Sequence, residues 1–294
     1  MELRVLRYFL AVVREQTVSA AAESLNLTQP TLSRQLRDLE EELGKKLFVR
    51  GAHGIELTEE GMLLRKRAEQ ILELVSRTEI DITSSDEALS GDIYIGAGET
   101  DAMRLVARAA NRMQQNYPLV HYNIYSGDGK DVLEHLEKGL IDFGIVFTPV
   151  DDKRHSAIKI PIKDQWGILM RKDSPLAEKE SISPSDLEDL PLIVSRQRSD
   201  KSPAFIWFGK KMEDINIVST YNLVYNASVM VKEGIGYALA FDKLINVSGD
   251  SELCFRPLEP PVYAEMNFIW NKYQIMTKSA AKFLEYFRAE IEQY

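Results

Sequence analysis

Residues 19–50 constrain the fold more than any other stretch, because helix-capping and apolar residues alternate there at helical spacing. Ser19 can cap a first helix over residues 20–25. Asn26 interrupts that helix, since an asparagine side chain competes for backbone hydrogen bonds and tolerates left-handed geometry. Thr28 can then cap a second helix. The stretch predicts two short helices joined by a tight turn and followed by a strand.

The second helix is predicted to carry one apolar and one polar face. Its apolar positions recur at spacings of four, three and four, at Leu32, Leu36, Leu39 and Leu43. Pro30 fits this helix because it falls in the first turn, where its missing N–H costs no hydrogen bond. The outward positions are polar, namely Gln29, Thr31, Ser33, Arg34, Gln35 and Arg37. Such a face suits the major groove of DNA, but it also fits an ordinary amphipathic helix with a solvated polar face.

The flanking residues complete a small winged domain. Residues 3–14 place apolar side chains at helical spacing and predict a supporting helix. Residues 47–50 and 55–58 can pair as strands, and the turn 51–54 between them begins and ends with glycine. This hairpin is predicted to form a wing beside the two short helices.

The residue order in LRYFLAVVREQTVSAAAESLNLTQPTLSRQLRDLEEELGKKLFVR, continued by LTEEG, resembles the winged helix-turn-helix of the LysR-type transcriptional regulators. The resemblance implies a DNA-binding domain over residues 1–58. It implies DNA contacts at Ser19, Thr28, Gln29, Pro30, Thr31, Ser33, Arg34, Arg37, Arg50 and His53. Two interpretations stay open for His53, because wing tips in the family are often basic whereas a mostly neutral histidine suits a plain turn.

The charge of the chain does not by itself indicate DNA binding. The net charge is −9, and the first 58 residues carry eight basic and eight acidic side chains. Any positive face must therefore come from segregation of the charges. We expect the acids of residues 40–42 to lie on one side of the domain. The basic side is then expected to hold Arg34, Arg37, Lys45, Lys46 and Arg50.

Residues 59–88 predict a long linker helix. Thr58 can cap it, and two acidic residues follow in its first turn, where the helix dipole favours them. Its apolar seam runs at heptad spacing through Leu64, Ala68, Ile71, Val75, Thr78 and Ile82. The seam predicts a dimeric coiled coil, although a helix packed on its own domain gives the same pattern. Residues 84–91 are polar and end in glycine, which predicts a hinge.

Residues 89–294 predict an α/β domain. Strand and helix patterns alternate from residue 92 onwards, which implies parallel sheets with right-handed crossovers. The segments YPLVHYNIYSGDGKDVLEHLEKGLIDFGIV, RKDSPLA and VKEGIGYALA resemble the periplasmic-binding-protein-like effector domain of LysR-type regulators. The predicted lobe I comprises 91–161 and 267–294, and lobe II comprises 162–266. The predicted fold class is thus α/β, with a helix-rich winged N-terminal domain and a linker helix before two lobes.

A ligand crevice is expected where strands end and helices begin. The polar loops at these points supply the candidate effector-binding residues Thr100, Ser126, Gly127, Phe147, Thr148, Ser195, Arg196 and Asn226. Helix capping is an alternative role for Thr100, Ser126 and Asn226. Glu99, Asp101 and Asp128 crowd the same helix starts, and only Arg196 and Arg198 offer a positive partner. A carboxylate, a zwitterion or a neutral effector therefore all stay open.

Other function classes receive little support from the sequence. The four histidines show no metal-ligand spacing, and no nucleophile-elbow, phosphate-loop or dinucleotide motif occurs, so we expect neither a catalytic site, a metal nor a cofactor. Ser279 and Lys282 match an isolated Ser-x-x-Lys pattern on a terminal amphipathic helix. The lone Cys254 and the absence of a signal peptide or apolar span indicate a cytoplasmic protein without membrane contact.

The expected partners are double-stranded DNA with a pseudo-palindromic operator, a small-molecule effector and a second copy of the chain. The resemblance implies assembly of dimers into a homotetramer, and contact with RNA polymerase for an activator. The rival hypothesis is a solute-binding or transferase-like α/β protein whose N-terminus serves only in oligomerisation. Salt-dependent DNA affinity would separate the two hypotheses.

Overall fold

The computed structural model describes residues 1–51, 54–83, 89–147, 149–197 and 202–294. The chain divides into unit 1, Met1–Ser84, and unit 2, Ser85–Tyr294. Unit 1 contains helices α1 (Leu3–Glu15), α2 (Val18–Ser24) and α3 (Gln29–Leu43), strands β1 (Phe48–Gly51) and β2 (Gly54–Leu57), and helix α4 (Glu59–Thr83). The two strands pair antiparallel, as the predicted wing requires.

The helix starts in unit 1 correct two predicted caps. Helix α2 begins one residue before Ser19, and the Thr17 hydroxyl accepts the Ala20 N–H at 3.2 Å, so the Ser19 cap was wrong. Thr28 does precede α3, but its hydroxyl lies 2.8 Å from the Thr31 hydroxyl and caps no backbone group. The predicted left-handed turn at Asn26 is confirmed, with φ at 55°.

Three of the four predicted apolar positions of α3 form the core of unit 1. Leu32, Leu36 and Leu39 are buried there together with Phe9 of α1. The Leu43 side chain is 41% exposed, so its predicted place in the buried face was wrong. Helix α3 is thus held by its inner face, which leaves the polar face to solvent.

The first turn of helix α4 packs closely against the chain that enters the wing. Thr58 caps the helix as predicted, because its hydroxyl accepts the Gly61 N–H at 3.0 Å. The same hydroxyl donates to the Lys46 carbonyl at 2.7 Å, which ties the helix start to the chain entering β1. A Cβ atom on Gly61 would lie 2.2 Å from the Leu47 carbonyl oxygen.

We expect the substitution Gly61→Ala to destabilise unit 1 by about 1 to 3 kcal/mol, because the added methyl group meets backbone that cannot move aside. Urea unfolding of the full chain followed by circular dichroism measures this loss. Tryptophan fluorescence follows unit 2 separately, since Trp166, Trp207 and Trp270 all lie there. Met62→Ala is the matched control at a neighbouring side chain that is 56% exposed. Equal unfolding of Gly61→Ala and the parent would contradict the prediction.

The heptad seam of α4 divides into two halves. Ala68 is fully buried, and Leu64 and Ile71 pack against the core of unit 1. Farther along, Thr78 is exposed and Ile82 is 78% exposed. The first half therefore packs on its own domain, and only the second half stays available to a partner helix.

Unit 2 contains two sheets. Lobe I is built from β3 (Gly91–Ala97), α5 (Met103–Asn116), β4 (Val120–Ser126), α6 (Gly129–Glu137), β5 (Phe143–Val146) and β6 (His155–Lys159). Lobe II then adds β7 (Asp164–Arg171), β8 (Leu192–Ser195), α7 (Pro203–Phe208), β9 (Ile217–Tyr221), α8 (Val224–Lys232), β10 (Tyr237–Phe241), β11 (Leu253–Pro257) and β12 (Tyr263–Ala264). The chain returns to lobe I with β13 (Asn267–Asn271) and α9 (Lys278–Ile291).

The strand order is β4-β3-β5-β13-β6 in lobe I and β11-β7-β10-β8-β9 in lobe II, where β12 also pairs with β7. The prediction of parallel sheets holds for β3, β4 and β5 and for β8, β9 and β10. It was wrong for β13 and β7, which run antiparallel to their neighbours. These two strands follow the crossings between lobes, so they enter each sheet from the opposite direction.

Helices cover both faces of the two sheets. In lobe I, α5 and α9 pack on one face through Leu105, Phe283 and Phe287, and α6 packs on the other through Val132. In lobe II, α8 covers one face through Ala227 and Val231, while α7 contributes to the core on the other. This layering leaves the carboxyl ends of the parallel strands free to form a crevice.

Candidate DNA-contacting helix and ligand cavity

The outer face of α3 presents most of the predicted DNA-contacting residues. Thr28, Gln29, Pro30, Thr31, Arg34 and Arg37 are exposed, Ser33 is partly buried, and Ser19 is exposed on α2. The Gln29 amide nitrogen donates to the Ser33 hydroxyl at 3.1 Å, which orders the first turn. The helix thus offers hydroxyl, amide and guanidinium groups on one surface.

Arg34 extends from the middle of this surface. Its side chain is 82% exposed, and its Nε lies 3.9 Å from an Asp38 carboxylate oxygen one turn away. An exposed ion pair at that distance contributes little to stability. The guanidinium group is therefore available to a partner at little cost to the fold.

The expected segregation of charge is only partly present. Lys46 pairs with Glu40 at 2.6 Å and Lys45 pairs with Glu60 at 3.0 Å, so both lysines are already neutralised by acids. Burial opposes ionisation of Glu40, but hydrogen bonds from Lys46 and from the Leu47 N–H hold its pKa below the ordinary value. The placement of both lysines on an unopposed basic face was wrong.

Two predicted wing contacts, at Arg50 and His53, involve side chains outside the described part of the structure. The backbone of Arg50 lies in β1, but its side chain is outside what the structure describes. His53 lies outside the described residues altogether. Both stay sequence-based predictions.

A cavity of 540 Å³ lies between the lobes of unit 2. Its walls come from the loops that follow β3, β5, β8, β9 and β10, together with the start of β7 and the region of β12. These loops lie at the carboxyl ends of strands, where open α/β sheets bind ligands. Its volume suits a small organic molecule.

Aromatic side chains form one wall of this cavity. The Phe147 ring stacks on Phe241 with centroids 5.1 Å apart, and Trp166 lies against Phe241 at 4.1 Å. Phe205 and Leu239 also line the space. Such a wall favours a flat apolar ligand body.

Glu99 provides the principal charge inside the cavity. Its carboxylate accepts the backbone N–H of Val224, the first residue of α8, and so joins lobe I to lobe II. Burial raises the pKa of Glu99, although the hydrogen bond from Val224 opposes this shift. Burial, together with the nearby charge of Glu99, also raises the pKa of Tyr221.

The predicted effector residues divide between two spaces. Phe147 and Ser195 line the 540 Å³ cavity. Thr100 and Ser126 line a neighbouring pocket of 240 Å³. The Thr100 hydroxyl donates to the Met266 sulfur at 2.9 Å and accepts the Ala102 N–H at 3.0 Å. Thr148 and Arg198 lie outside the described residues.

Three further candidates have other neighbours. Arg196 forms ion pairs with Asp128 at 2.9 Å and Asp131 at 3.2 Å, across the lobes. Gly127 donates its N–H to the Ala97 carbonyl at 3.1 Å. Asn226 is exposed inside the first turn of α8, which starts at Val224, so its capping role was wrong.

The capping role of Ser126 was also wrong. The Asp128 side chain caps α6 instead, because it accepts the N–H groups of Lys130 and Asp131 at 3.0 and 2.9 Å. Arg196 therefore lies beside a carboxylate that already satisfies the helix start.

Several cavity residues escaped sequence reasoning. Trp166, Phe205, Tyr221 and Asn222 line the cavity but were not candidates. Along β9, partly buried and exposed residues alternate. The partly buried positions are Ile217, Ser219 and Tyr221, and none of them is fully buried, so the alternation is weak. That alternation, followed by an asparagine, was the available signal for a strand ending at a site.

Neither a metal-binding cluster nor a membrane-spanning helix occurs in the part of the chain that the structure describes. Among the residues that the structure describes, no group of three or more His, Cys, Asp or Glu side chains could hold a metal ion. Within the same ranges, no helix has both the length and the apolar character of a membrane span.

Two family models match the chain. Residues 3–62 match the model described as bacterial regulatory helix-turn-helix protein, lysR family. Residues 86–292 match the LysR substrate binding domain. The two models together span the winged region and both lobes, and most of the linker helix lies between the two matched ranges.

Relatives and solved structures agree with these models. The uncharacterized HTH-type transcriptional regulator YvbU of Bacillus subtilis is 25% identical over 290 residues, with 97% of each chain covered. The HTH-type transcriptional activator IlvY of Salmonella typhimurium is 27% identical over 243 residues, which cover 81% of this chain and 82% of that protein. The crystal structure of full-length CbnR complexed with its target DNA matches with a TM-score of 0.75 and 19% identity, over 99% of this chain and 100% of that one.

Proposed function

The chain belongs to the LysR family of bacterial regulatory helix-turn-helix proteins, as its residues predicted, and from this premise we propose how it recognises DNA and responds to an effector. It is a DNA-binding transcriptional regulator with a substrate-binding domain, and its predicted fold class is confirmed. The rival hypothesis, in which the N-terminus only oligomerises, does not account for a helix-turn-helix of this family.

The exposed polar face of α3 supports the DNA-binding role. Helix α3 enters the major groove, with Gln29 and Arg34 at base edges and Thr28, Thr31 and Ser33 at phosphates. Pro30 and Arg37 lie on the same surface, and Ser19 of α2 contacts the backbone. Arg50 and His53 extend the contact to the wing. The similar CbnR structure, solved as a complex with its target DNA, supports DNA binding by this chain.

The chain works as a symmetric oligomer. The exposed second half of α4, with Leu74 at 43% and Ile82 at 78% exposure, pairs with the same helix of a second copy. Two DNA-binding domains then read two half-sites of a pseudo-palindromic operator. Two such dimers form the homotetramer, and an activating member also contacts RNA polymerase.

The effector domain controls DNA binding in response to a small molecule. Residues 1–58 form the DNA-binding domain, 59–88 the linker helix and 89–294 the effector domain. A small molecule binds between lobe I (91–161 and 267–294) and lobe II (162–266), in the cavity lined by Phe147 and Ser195. It shifts the oligomer towards the state that binds it more tightly, and so alters the geometry presented to DNA. The chain acts in the cytoplasm and performs no catalysis.

The first experiment is immunoprecipitation of the protein from its own cells, followed by sequencing of the DNA that copurifies. We expect a few enriched sites that share a split palindrome, one of them beside the gene for this protein. A matched strain carrying the Gly61→Ala chain controls for recovery of misfolded protein. Absence of any enriched site at every salt concentration would contradict regulation through DNA.

Operator affinity is expected to fall steeply with salt, because bound phosphates release their counterions. Neutralising six or more phosphates predicts a loss of roughly 10³-fold between 50 and 200 mM salt. Fluorescence anisotropy of a labelled operator measures the slope, and a duplex with scrambled half-sites is the control. A slope near zero would favour the rival hypothesis.

A further inference from the structure

The cavity of unit 2 has a chemistry that narrows the class of its ligand. We infer that it takes an organic amine with an apolar, preferably aromatic body, whose ammonium group pairs with Glu99. This inference rests on the proposed effector role of the same cavity, and it concerns only which molecules bind there.

The cavity has an aromatic wall and the volume of a small molecule. Phe147, Phe241 and Trp166 form a continuous aromatic surface, with neighbouring centroids 5.1 and 4.1 Å apart. Aromatic faces attract flat apolar groups and also cations. The 540 Å³ volume leaves room for a ring and a short chain.

Two helix starts near the cavity, those of α8 and α6, are already occupied. A helix N-terminus usually attracts an anion, because its first N–H groups are unpaired and its dipole is positive there. Here the first N–H of α8, at Val224, is taken by the Glu99 carboxylate. At the start of α6 the Gly129 N–H donates to the Gln197 amide oxygen at 3.1 Å. The Asp128 carboxylate accepts the next two N–H groups, those of Lys130 and Asp131. An incoming carboxylate would have to displace these oxygens.

The described part of the cavity wall carries acidic side chains and no basic ones. In the portion of the wall that the structure describes, the ionisable acids are Glu99 and Glu265, and no Lys, Arg or His lines it. Glu265 is neutralised by Lys159 at 2.6 Å and Lys163 at 2.5 Å. Glu99 accepts only a backbone N–H within the described residues, so an unbalanced negative charge faces an apolar space.

These three features select a cation over an anion. An ammonium group beside Glu99 forms a charge-assisted hydrogen bond in surroundings of low dielectric constant, where such a bond is strong. A carboxylate in the same place meets a like charge and finds the Val224 N–H already bound by Glu99. A neutral alcohol has the hydrogen bond without the charge, and should bind with intermediate affinity.

The test uses three probes with one apolar body, 4-phenylbutylamine, 4-phenylbutanol and 4-phenylbutanoate. Their affinities for the full chain are measured by calorimetry and by the fluorescence of Trp166, which lines the cavity. We expect the amine to bind at least about tenfold more tightly than the carboxylate, a difference of about 1.4 kcal/mol. Trp166→Phe identifies which part of the fluorescence change comes from the cavity.

The variant Glu99→Gln separates charge from shape. Its amide oxygen can still accept the Val224 N–H, so we expect the fold to persist, the amine to lose about tenfold in affinity and the carboxylate to gain. Glu233→Gln, at the other end of α8, is the matched control and should leave all three affinities unchanged. Preference of the parent for the carboxylate, binding of none of the probes, or an amine affinity unchanged by Glu99→Gln would each overturn the inference.

Operator binding by the same preparations distinguishes the two proposals. A chain that binds the operator but prefers the carboxylate contradicts the ligand class alone. A chain that binds no operator contradicts the regulatory role, while the order of the probe affinities still decides the chemistry of the cavity.

Discussion

Replacement of Arg34 by alanine is expected to weaken operator binding by about 2 to 6 kcal/mol, or roughly 30-fold or more. Each lost bidentate contact from arginine to a guanine edge costs about 1 to 3 kcal/mol, and a dimer loses two of them. The fold should be unaffected, because the side chain is 82% exposed and its ion pair with Asp38 is 3.9 Å long. Anisotropy with the operator and with a scrambled duplex measures the loss.

Two further variants identify the origin of this effect. Arg34→Lys keeps the charge but loses the planar fork, so it should keep binding to the scrambled duplex and lose preference for the operator. Arg65→Ala removes an arginine that pairs with Glu69 on α4 and should change operator affinity little. Operator affinity of Arg34→Ala within twofold of the parent would place α3 outside the groove.

The helix-turn-helix was predictable because local signals decide it. Leu32, Leu36 and Leu39 lie at helical spacing, and Asn26 tolerates the left-handed turn that separates the two helices. The cap of α2 was less predictable, since Thr17 and Ser19 are both good capping residues two positions apart. In the structure α2 starts at Val18, and Ala21 and Ala22 are buried in the core of unit 1.

The ligand cavity was only partly predictable, because its lining depends on long-range contacts. Phe147 directly follows β5 and Ser195 is the last residue of β8, so strand ends alone located them. Arg196 also follows a strand, but its guanidinium turns to Asp128 and Asp131, which lie far away in sequence. Trp166 lines the cavity from the third position of β7, the strand that follows the crossing between lobes, and no local pattern marks that position.

A buried carboxylate lies at the crossing between the lobes, where the chain enters lobe II. Asp164, the first residue of β7, is fully buried, and its carboxylate oxygens form no hydrogen bond of normal geometry within the described residues. Burial, with the charges of Asp242 and Asp101, raises its pKa from 3.8 to about 6, against the opposing influence of the Thr100 hydroxyl and Lys243. Ionisation of Asp164 therefore lowers the free energy of unfolding of unit 2.

The substitution Asp164→Asn is expected to stabilise unit 2 by about 2 to 3 kcal/mol more above pH 7 than near pH 4. The folded pKa lies above the unfolded value of 3.8, so the cost in the parent is absent below pH 4, grows as the pH rises and is complete above the folded pKa of about 6. The variant cannot ionise and loses this dependence. Urea unfolding followed by tryptophan fluorescence, which reports unit 2 alone, measures the difference at pH 4.5, 6 and 7.5.

Asp142→Asn provides the contrast, because a buried carboxylate can also be well satisfied. One oxygen of Asp142 accepts the Tyr94 N–H at 2.8 Å, so its replacement should weaken a charge-assisted hydrogen bond and destabilise unit 2. The two substitutions are therefore expected to change the stability of unit 2 in opposite directions. Both aspartates are buried, so the difference comes from their hydrogen-bond partners. If Asp164→Asn destabilised unit 2 equally at pH 4.5 and 7.5, the carboxylate at the crossing would have to be neutral or fully hydrogen-bonded at both values.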